Sequence, residues 1–120
     1  MNRLRAKMAL AVALLASLAG TAACSPKECK SVMEAASPIQ EMVEASNTSG
    51  LAAQVKALEA AAAGSSKSEI KWLAGTAGLL GKHIAAGSKP GERIPNYGED
   101  KARLTQQFVD ARRNVAGVCR

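Results

Sequence analysis

The sequence predicts an all-α fold, a small antiparallel bundle of about four helices, and three observations lead to it. Apolar residues recur at steps of three and four along most of the chain, which is the period of a helix with one buried face. No window shows the strict alternation of a half-buried strand. Segments rich in Gly, Ser, Asn and Pro separate the periodic stretches, as short connections do in a bundle.

The first 23 residues have the three parts of an export signal. They begin with the basic residues Arg3, Arg5 and Lys7. An apolar run follows from Met8 to Ala19, and small residues lead up to Cys24. A run of about 7 to 15 apolar residues suits a signal and is too short to span a bilayer. We therefore predict a signal peptide over residues 1–23 and one exported domain over residues 24–120.

The end of this signal, Thr21-Ala22-Ala23-Cys24, resembles the lipobox of bacterial lipoproteins. In that family the cysteine is acylated on its sulfur, with palmitate among the chains, and becomes the new amino terminus. The resemblance covers the signal only, and Thr21 stands where an aliphatic residue is usual. It implies lipidation of Cys24 and a membrane-anchored protein of the cell envelope.

The alternative is cleavage after Ala23 by ordinary signal peptidase, which would leave a soluble periplasmic or secreted protein. The cysteine count favours the lipoprotein. The chain has three cysteines, Cys24, Cys29 and Cys119. Thiols tend to pair in oxidising compartments, so a lipid on Cys24 would leave two cysteines for one disulfide and none unpaired.

The predicted mature chain is small and only weakly basic. Removing 23 residues leaves 97, enough for one domain. Three of the 16 Lys and Arg leave with the signal, so against 10 Asp and Glu the formal charge falls from +6 to +3. The sequence has no basic stripe interleaved with aromatic residues, so it does not favour nucleic-acid binding.

The first helix is predicted to begin at Ser25-Pro26-Lys27-Glu28, which has the form of a capping box. Its apolar stripe consists of Cys29, Val32, Ala36, Ile39 and Val43. Pro38 lies within it and removes one amide proton. Because the stripe keeps its phase across Pro38, we predict a kink rather than a break.

The turn Asn47-Thr48-Ser49-Gly50 separates this helix from a second one, predicted from about Leu51 to Ala63. The second stripe consists of Leu51, Val55, Leu58 and Ala62. Another capping box, Ser66-Lys67-Ser68-Glu69, is expected to open a third helix. The third stripe consists of Ile70, Leu73, Ala77, Leu80 and Ile84.

Three glycines, Gly75, Gly78 and Gly81, lie in the interior of the third helix. Each costs about 1 kcal/mol relative to alanine. We expect them to allow close packing against another backbone, while a hinge or a groove for a ligand, and a frayed helix, remain alternatives.

A loop from Gly87 to Asn96 precedes the last helix, and Ile94 and Tyr97 are expected to pin it to the bundle. The last helix is predicted from Tyr97 or Glu99 to Val118. Its stripe consists of Leu104, Phe108, Ala111, Val115 and Val118.

In an up-down-up-down bundle, the first helix begins where the fourth one ends. Cys29 lies one turn into the first helix and Cys119 follows the fourth, so we predict a disulfide between them. In the chain-entropy model, closing a loop of roughly 90 residues contributes about 4 to 5 kcal/mol.

Few residues suggest chemistry. His83 is the only histidine, and its place near the end of the third helix suits an interaction with the helix C-terminus. Glu41 and Glu44 share a helix surface, but nothing in the sequence indicates burial. We expect no enzyme, cofactor or metal site.

The function expected is therefore that of a lipid-anchored, non-enzymatic envelope protein that binds a protein partner or has a structural role. The alternative is a soluble exported protein that holds a small apolar ligand between its helices. Met33 and Met42 would then be the adaptable lining.

Overall fold

The computed structural model describes residues 26–91 and 93–119, which form four helices connected by short segments. They are α1 (Pro26–Glu44), α2 (Leu51–Ala62), α3 (Ser68–Gly87) and α4 (Tyr97–Val118). This confirms the predicted all-α helical bundle. The proposed signal peptide and Cys24 lie outside the described residues.

Neighbouring helices run in opposite directions. On the α2–α3 side, Gly81 lies against Val55 and Gly78 lies against Glu59, so the numbering rises along one helix as it falls along the other. Between α1 and α2, the side-chain amide of Gln54 donates to the carbonyl oxygen of Ala35 at 3.1 Å. α4 packs on α3 and on α1, which closes the bundle.

We call the end where α1 begins and α4 ends the basal end, and the opposite end the distal end. α3 runs in the same direction as α1, so Ser68 begins α3 on the basal side and Gly87 ends it on the distal side. The loop to α4 is therefore distal.

The predicted apolar stripes form one core. Seventeen buried side chains from all four helices belong to it, and Phe108 is its one aromatic member, fully buried. Every stripe residue predicted above is buried except Val118, which is half-buried at the end of α4. The three- and four-residue spacing therefore predicted the core almost completely.

The start of α3 differs from the prediction. The helix begins at Ser68, Lys67 is its N-cap residue, and no side chain caps it. The predicted capping box from Ser66 to Glu69 is therefore wrong. Ser65 is buried instead, and its hydroxyl accepts a hydrogen bond from the backbone N–H of Lys67 at 3.1 Å. A turn held by the earlier serine precedes the helix.

α1 continues through Pro38 as a single helix. This agrees with the prediction that Pro38 does not end the helix. Ala36 and Ile39, on either side of Pro38, are both fully buried, so the apolar stripe keeps its phase across the proline. In the turn that follows, Ser46 takes the left-handed conformation with φ of 56°. Gly50, at the end of this turn, has φ of −103° and so does not take that conformation.

No helix among the described residues is long and apolar enough to cross a membrane.

Candidate functional site

The two cysteines of the described chain meet at the basal end. Cys29 is buried in the first turns of α1, and Cys119 follows the last residue of α4. Their Cα atoms lie 5.8 Å apart although 90 positions separate them in sequence, and their sulfur atoms are within bonding distance. The predicted proximity of Cys29 and Cys119 is confirmed, since this Cα separation is typical of a disulfide.

This pairing leaves Cys24 as the cysteine without an assigned partner. Cys24 itself is outside the described residues, two positions before Pro26, where α1 begins.

His83 has a structural partner that the sequence did not reveal. Its ring stacks on Tyr97, with ring centroids 4.5 Å apart and planes inclined by 13°. Nε2 of His83 lies 3.0 Å from the backbone carbonyl oxygen of Tyr97. A carbonyl oxygen only accepts, so Nε2 is the donor. His83 therefore fastens the first residue of α4 to α3, in addition to lying near the end of α3.

Tyr97 also covers Gly87. A Cβ atom added at Gly87 would overlap the tyrosine ring, with Cδ1 at 2.8 Å. Tyr97 therefore holds the end of the loop to the bundle through two contacts with α3, one with His83 and one with Gly87 on the next turn. Ile94 is half-buried in the preceding loop.

The carboxylates singled out by the sequence are exposed. Glu41 and Glu44 lie on the surface of α1, and Glu44 accepts a hydrogen bond from the side chain of Gln40 at 3.0 Å. Across the described residues, no group of three or more His, Cys, Asp or Glu side chains is arranged to hold a metal ion. The geometry at these positions offers no buried acid or base.

The glycines of α3 face two different surroundings. An added Cβ at Gly81 would lie 3.2 Å from Cγ2 of Val55, and one at Gly78 would lie 3.2 Å from Oε2 of Glu59. At Gly75 nothing lies within 4 Å. Two glycines thus approach side chains of α2, not its backbone as expected, and α3 continues through all three.

A shallow groove follows from these small residues, and we call it the α2–α3 groove. It is open to solvent and has a volume of about 200 Å³. Its lining consists of Ala52, Val55, Lys56, Glu59, Gly78, Gly81, Lys82 and Ala85. Drug-sized ligands usually occupy pockets of about 300 to 1,000 Å³, so this groove suits a smaller or partly covered apolar group.

The two methionines proposed as ligand lining are half-buried and pack against the core. Met42 also borders an open depression of about 240 Å³ beside Pro38 and Asn47. Met33 does not line that depression or the α2–α3 groove. The described structure therefore does not bring Met33 and Met42 together around one of these cavities.

The outer surface of α3 carries two large apolar side chains that the sequence reading did not single out. Trp72 is 53% exposed and Leu79 is 52% exposed. They lie two turns apart, with Gly75 between them. Their exposure could have been predicted from the sequence, because residues 72, 75 and 79 share the face of α3 opposite to its buried stripe.

Comparison of the chain with protein-family models, with curated proteins and with solved structures found no match.

Proposed function

We propose that this chain is an exported lipoprotein whose helical bundle is held at a membrane by acyl chains on Cys24. In this proposal the bundle has no catalytic role. It presents its helical surface to a partner in the cell envelope, or contributes to envelope structure.

One observation carries the proposal: the fold brings Cys29 and Cys119 to within bonding distance. Three cysteines would leave one unpaired in an oxidising compartment. With the other two adjacent, the residue left over is the one that follows the signal-like segment. This supports assigning a different chemistry, acylation, to Cys24.

The physics of the anchor agrees with this assignment. Burial of an acyl chain contributes about 0.8 kcal/mol for each methylene, and one chain alone binds only marginally. Several chains on one amino-terminal cysteine therefore hold a small domain stably. α1 begins two residues after Cys24, so the bundle would stay close to the bilayer surface.

The non-catalytic role rests on the surroundings of the groups that could catalyse. His83 is engaged with Tyr97 through stacking and a hydrogen bond. Glu41 and Glu44 are exposed to solvent, where a carboxyl group lacks the burial that tunes it for acid–base chemistry.

Intact mass of the mature protein, purified from a bacterial host, tests the proposal. We expect cleavage before Cys24, added mass from acyl chains, and two fewer hydrogens than the reduced chain because of one disulfide. Cys24→Ser should abolish the acyl mass and leave uncleaved precursor. A mature chain that begins at Cys24 without acylation would refute the anchor, and free thiols at both Cys29 and Cys119 would refute the pairing.

A soluble exported protein that binds a small apolar ligand is the second candidate. The α2–α3 groove favours it, because its lining includes the apolar residues Ala52, Val55 and Ala85. Titration of the unlipidated chain with a fluorescent fatty acid, with Gly78→Leu as the variant that fills the groove, distinguishes the two. Saturable binding that Gly78→Leu abolishes would support the ligand-binding protein, and partition of the mature chain into detergent would support the lipoprotein.

A further inference from the structure

We propose that the outer face of α3, formed by Trp72, Gly75 and Leu79 and here called the α3 face, binds an amphipathic helix of an envelope protein. The bound helix carries acidic side chains along one flank of its apolar stripe. This inference rests on the proposed function for the kind of partner, a protein of the cell envelope. It adds the surface that is used and the chemistry that this surface recognises.

The α3 face is an exposed apolar stripe. About half of the surface of each large side chain is exposed, 53% for Trp72 and 52% for Leu79. Residues 72, 75 and 79 are spaced by three and four, so they form one line about 10 Å long on the helix. A second amphipathic helix packs against a stripe with this spacing, and tryptophan is enriched where binding energy is concentrated.

Gly75 leaves a shallow opening in the middle of the stripe. Nothing lies within 4 Å of a Cβ atom added at Gly75, so the α3 backbone is accessible between Trp72 and Leu79. A large apolar side chain of the partner helix fits over Gly75 with the two exposed side chains beside it, as a knob fits into a hole in helix packing. The shape of the α3 face therefore suits a helix laid along α3.

Charge is distributed unevenly around the α3 face. Lys71 and Lys82 are both exposed and lie on its α2 side, and we call them the lysine border. Neither has an ion-pair partner in the part of the chain that the structure describes. Beyond them, Lys56 and Glu59 line the α2–α3 groove and offset each other. The lysine border therefore carries a net positive charge.

The other side of the α3 face has no such excess. α4 carries the exposed ion pairs Asp100–Arg103 at 3.3 Å and Asp110–Arg113 at 3.4 Å, each neutral as a pair. Glu69, the acidic residue in the first turn of α3, lies toward α4. Acidic residues on one flank of the partner helix would thus complement the lysine border and determine which flank faces α2.

Two other occupants fit the α3 face less well. A second copy that used its own α3 face would bring two further lysines against one acidic residue, Glu69, so the contact would keep a net positive charge. A membrane is not within reach either. α1 packs on α2 and α4, so α3 lies diagonally across the bundle from α1. A bilayer that holds Cys24, two residues before α1, does not reach the α3 face across the width of the bundle.

The probe is a synthetic helix of about 21 residues, or six turns. It has an alanine scaffold, leucines spaced by three and four, and glutamates along one flank of the leucine stripe. A second peptide has lysine in place of each glutamate. Acylated mature protein is bound to phosphatidylcholine vesicles, and vesicles without protein give the reference signal. Anisotropy of the fluorescein-labelled peptides gives each Kd. Trp72 is the only tryptophan in the chain, so its emission with unlabelled peptide reports on the α3 face.

We expect the acidic peptide to bind about tenfold more tightly than the basic one, since each exposed ion pair contributes up to about fivefold. The emission of Trp72 should shift to shorter wavelength as the acidic peptide binds. Lys82→Gln should weaken its binding about two- to fivefold. Lys30→Gln is the matched control, because Lys30 is exposed on α1, and it should change the Kd little. Leu79→Gln should weaken binding about five- to tenfold, because half of the leucine surface is available for burial.

Several results would overturn the inference. Equal affinity for the two peptides would contradict an acidic partner. Binding that leaves the emission of Trp72 unchanged would show that the site lies elsewhere, and absence of saturable binding up to about 1 mM would show that no such site exists. Protection of Trp72 from acrylamide without peptide would show another occupant: a second copy if it rises with protein concentration in solution, or lipid if it requires vesicles.

The proposed function fails by a different measurement. A mature chain without acyl mass would refute the anchor, and the same peptide titration in solution would still test the α3 face.

Discussion

At the scale of single residues, the packing of Tyr97 gives a matched pair of glycine substitutions. Gly87→Ala should destabilise the bundle by about 1 to 3 kcal/mol, because the new methyl group would overlap the ring of Tyr97. Gly75→Ala should stabilise it by about 0.5 to 1 kcal/mol, because the site is open and alanine is the better helix former. Urea denaturation under oxidising conditions measures both. Equal effects of the two substitutions would contradict the packing described at Gly87.

The contact between His83 and Tyr97 gives a second test. His83→Ala should destabilise the start of α4, because it removes both the stacking and the hydrogen bond to the Tyr97 carbonyl. A loss of about 1 to 2 kcal/mol is expected from one part-buried hydrogen bond and one aromatic contact. Amide hydrogen exchange should show faster exchange in the first turns of α4, with α1 unchanged. His83→Phe, which keeps the stacking, should restore part of the stability.

Residue-level contacts were the least predictable feature of the chain. The sequence predicted that His83 lies near the end of α3 and that Tyr97 lies at the start of α4, but it did not predict that their rings stack. That contact depends on how far each helix rotates about its axis, which spacing along one chain does not define. Similarly, Ser65, Ser66 and Ser68 all lie where a helix could be capped, and tertiary packing selected Ser65 for a turn.

At the scale of helices, α3 is the helix in which substitutions should raise the stability of the bundle most. An alanine methyl at Gly78 would meet the end of the flexible Glu59 side chain, whereas one at Gly81 would meet the stiff, buried Val55. Gly78→Ala should therefore stabilise the bundle by up to about 1 kcal/mol, and Gly81→Ala should be nearly neutral. Thermal unfolding of both variants compares them. A larger gain at Gly81 would show that Val55 yields more easily than the packing indicates.

The helices themselves were largely predictable because the buried residues of each helix recur at steps of three and four. Val55 and Leu58 in α2, or Leu104 and Phe108 in α4, fall on one face by their spacing alone, and the structure buries them all. The α2–α3 groove was not derivable in this way. It depends on Gly78 and Gly81 facing Glu59 and Val55 of α2, and the sequence left packing, hinge and groove as alternatives for these glycines.

At the scale of the whole molecule, the pairing of Cys29 with Cys119 should dominate stability. In the chain-entropy model, a link across 90 positions contributes about 4 to 5 kcal/mol. Replacing both cysteines by alanine should lower the free energy of unfolding by about that amount, and either single replacement should cost nearly as much. Urea midpoints with and without reductant measure the effect. If reduction left the midpoint of the parent chain unchanged, the two sulfurs would not be bonded in solution.

The cysteine pair also determines how the molecule would respond to mechanical force. A pull on the amino-terminal tether would reach α1 first, and through the sulfur bridge it would reach α4 at the same end. The force would be shared between the two terminal helices at once, so the chain could not be peeled off one helix at a time. The covalent link would therefore protect a core with few aromatic side chains from unfolding when force acts through the proposed anchor at Cys24.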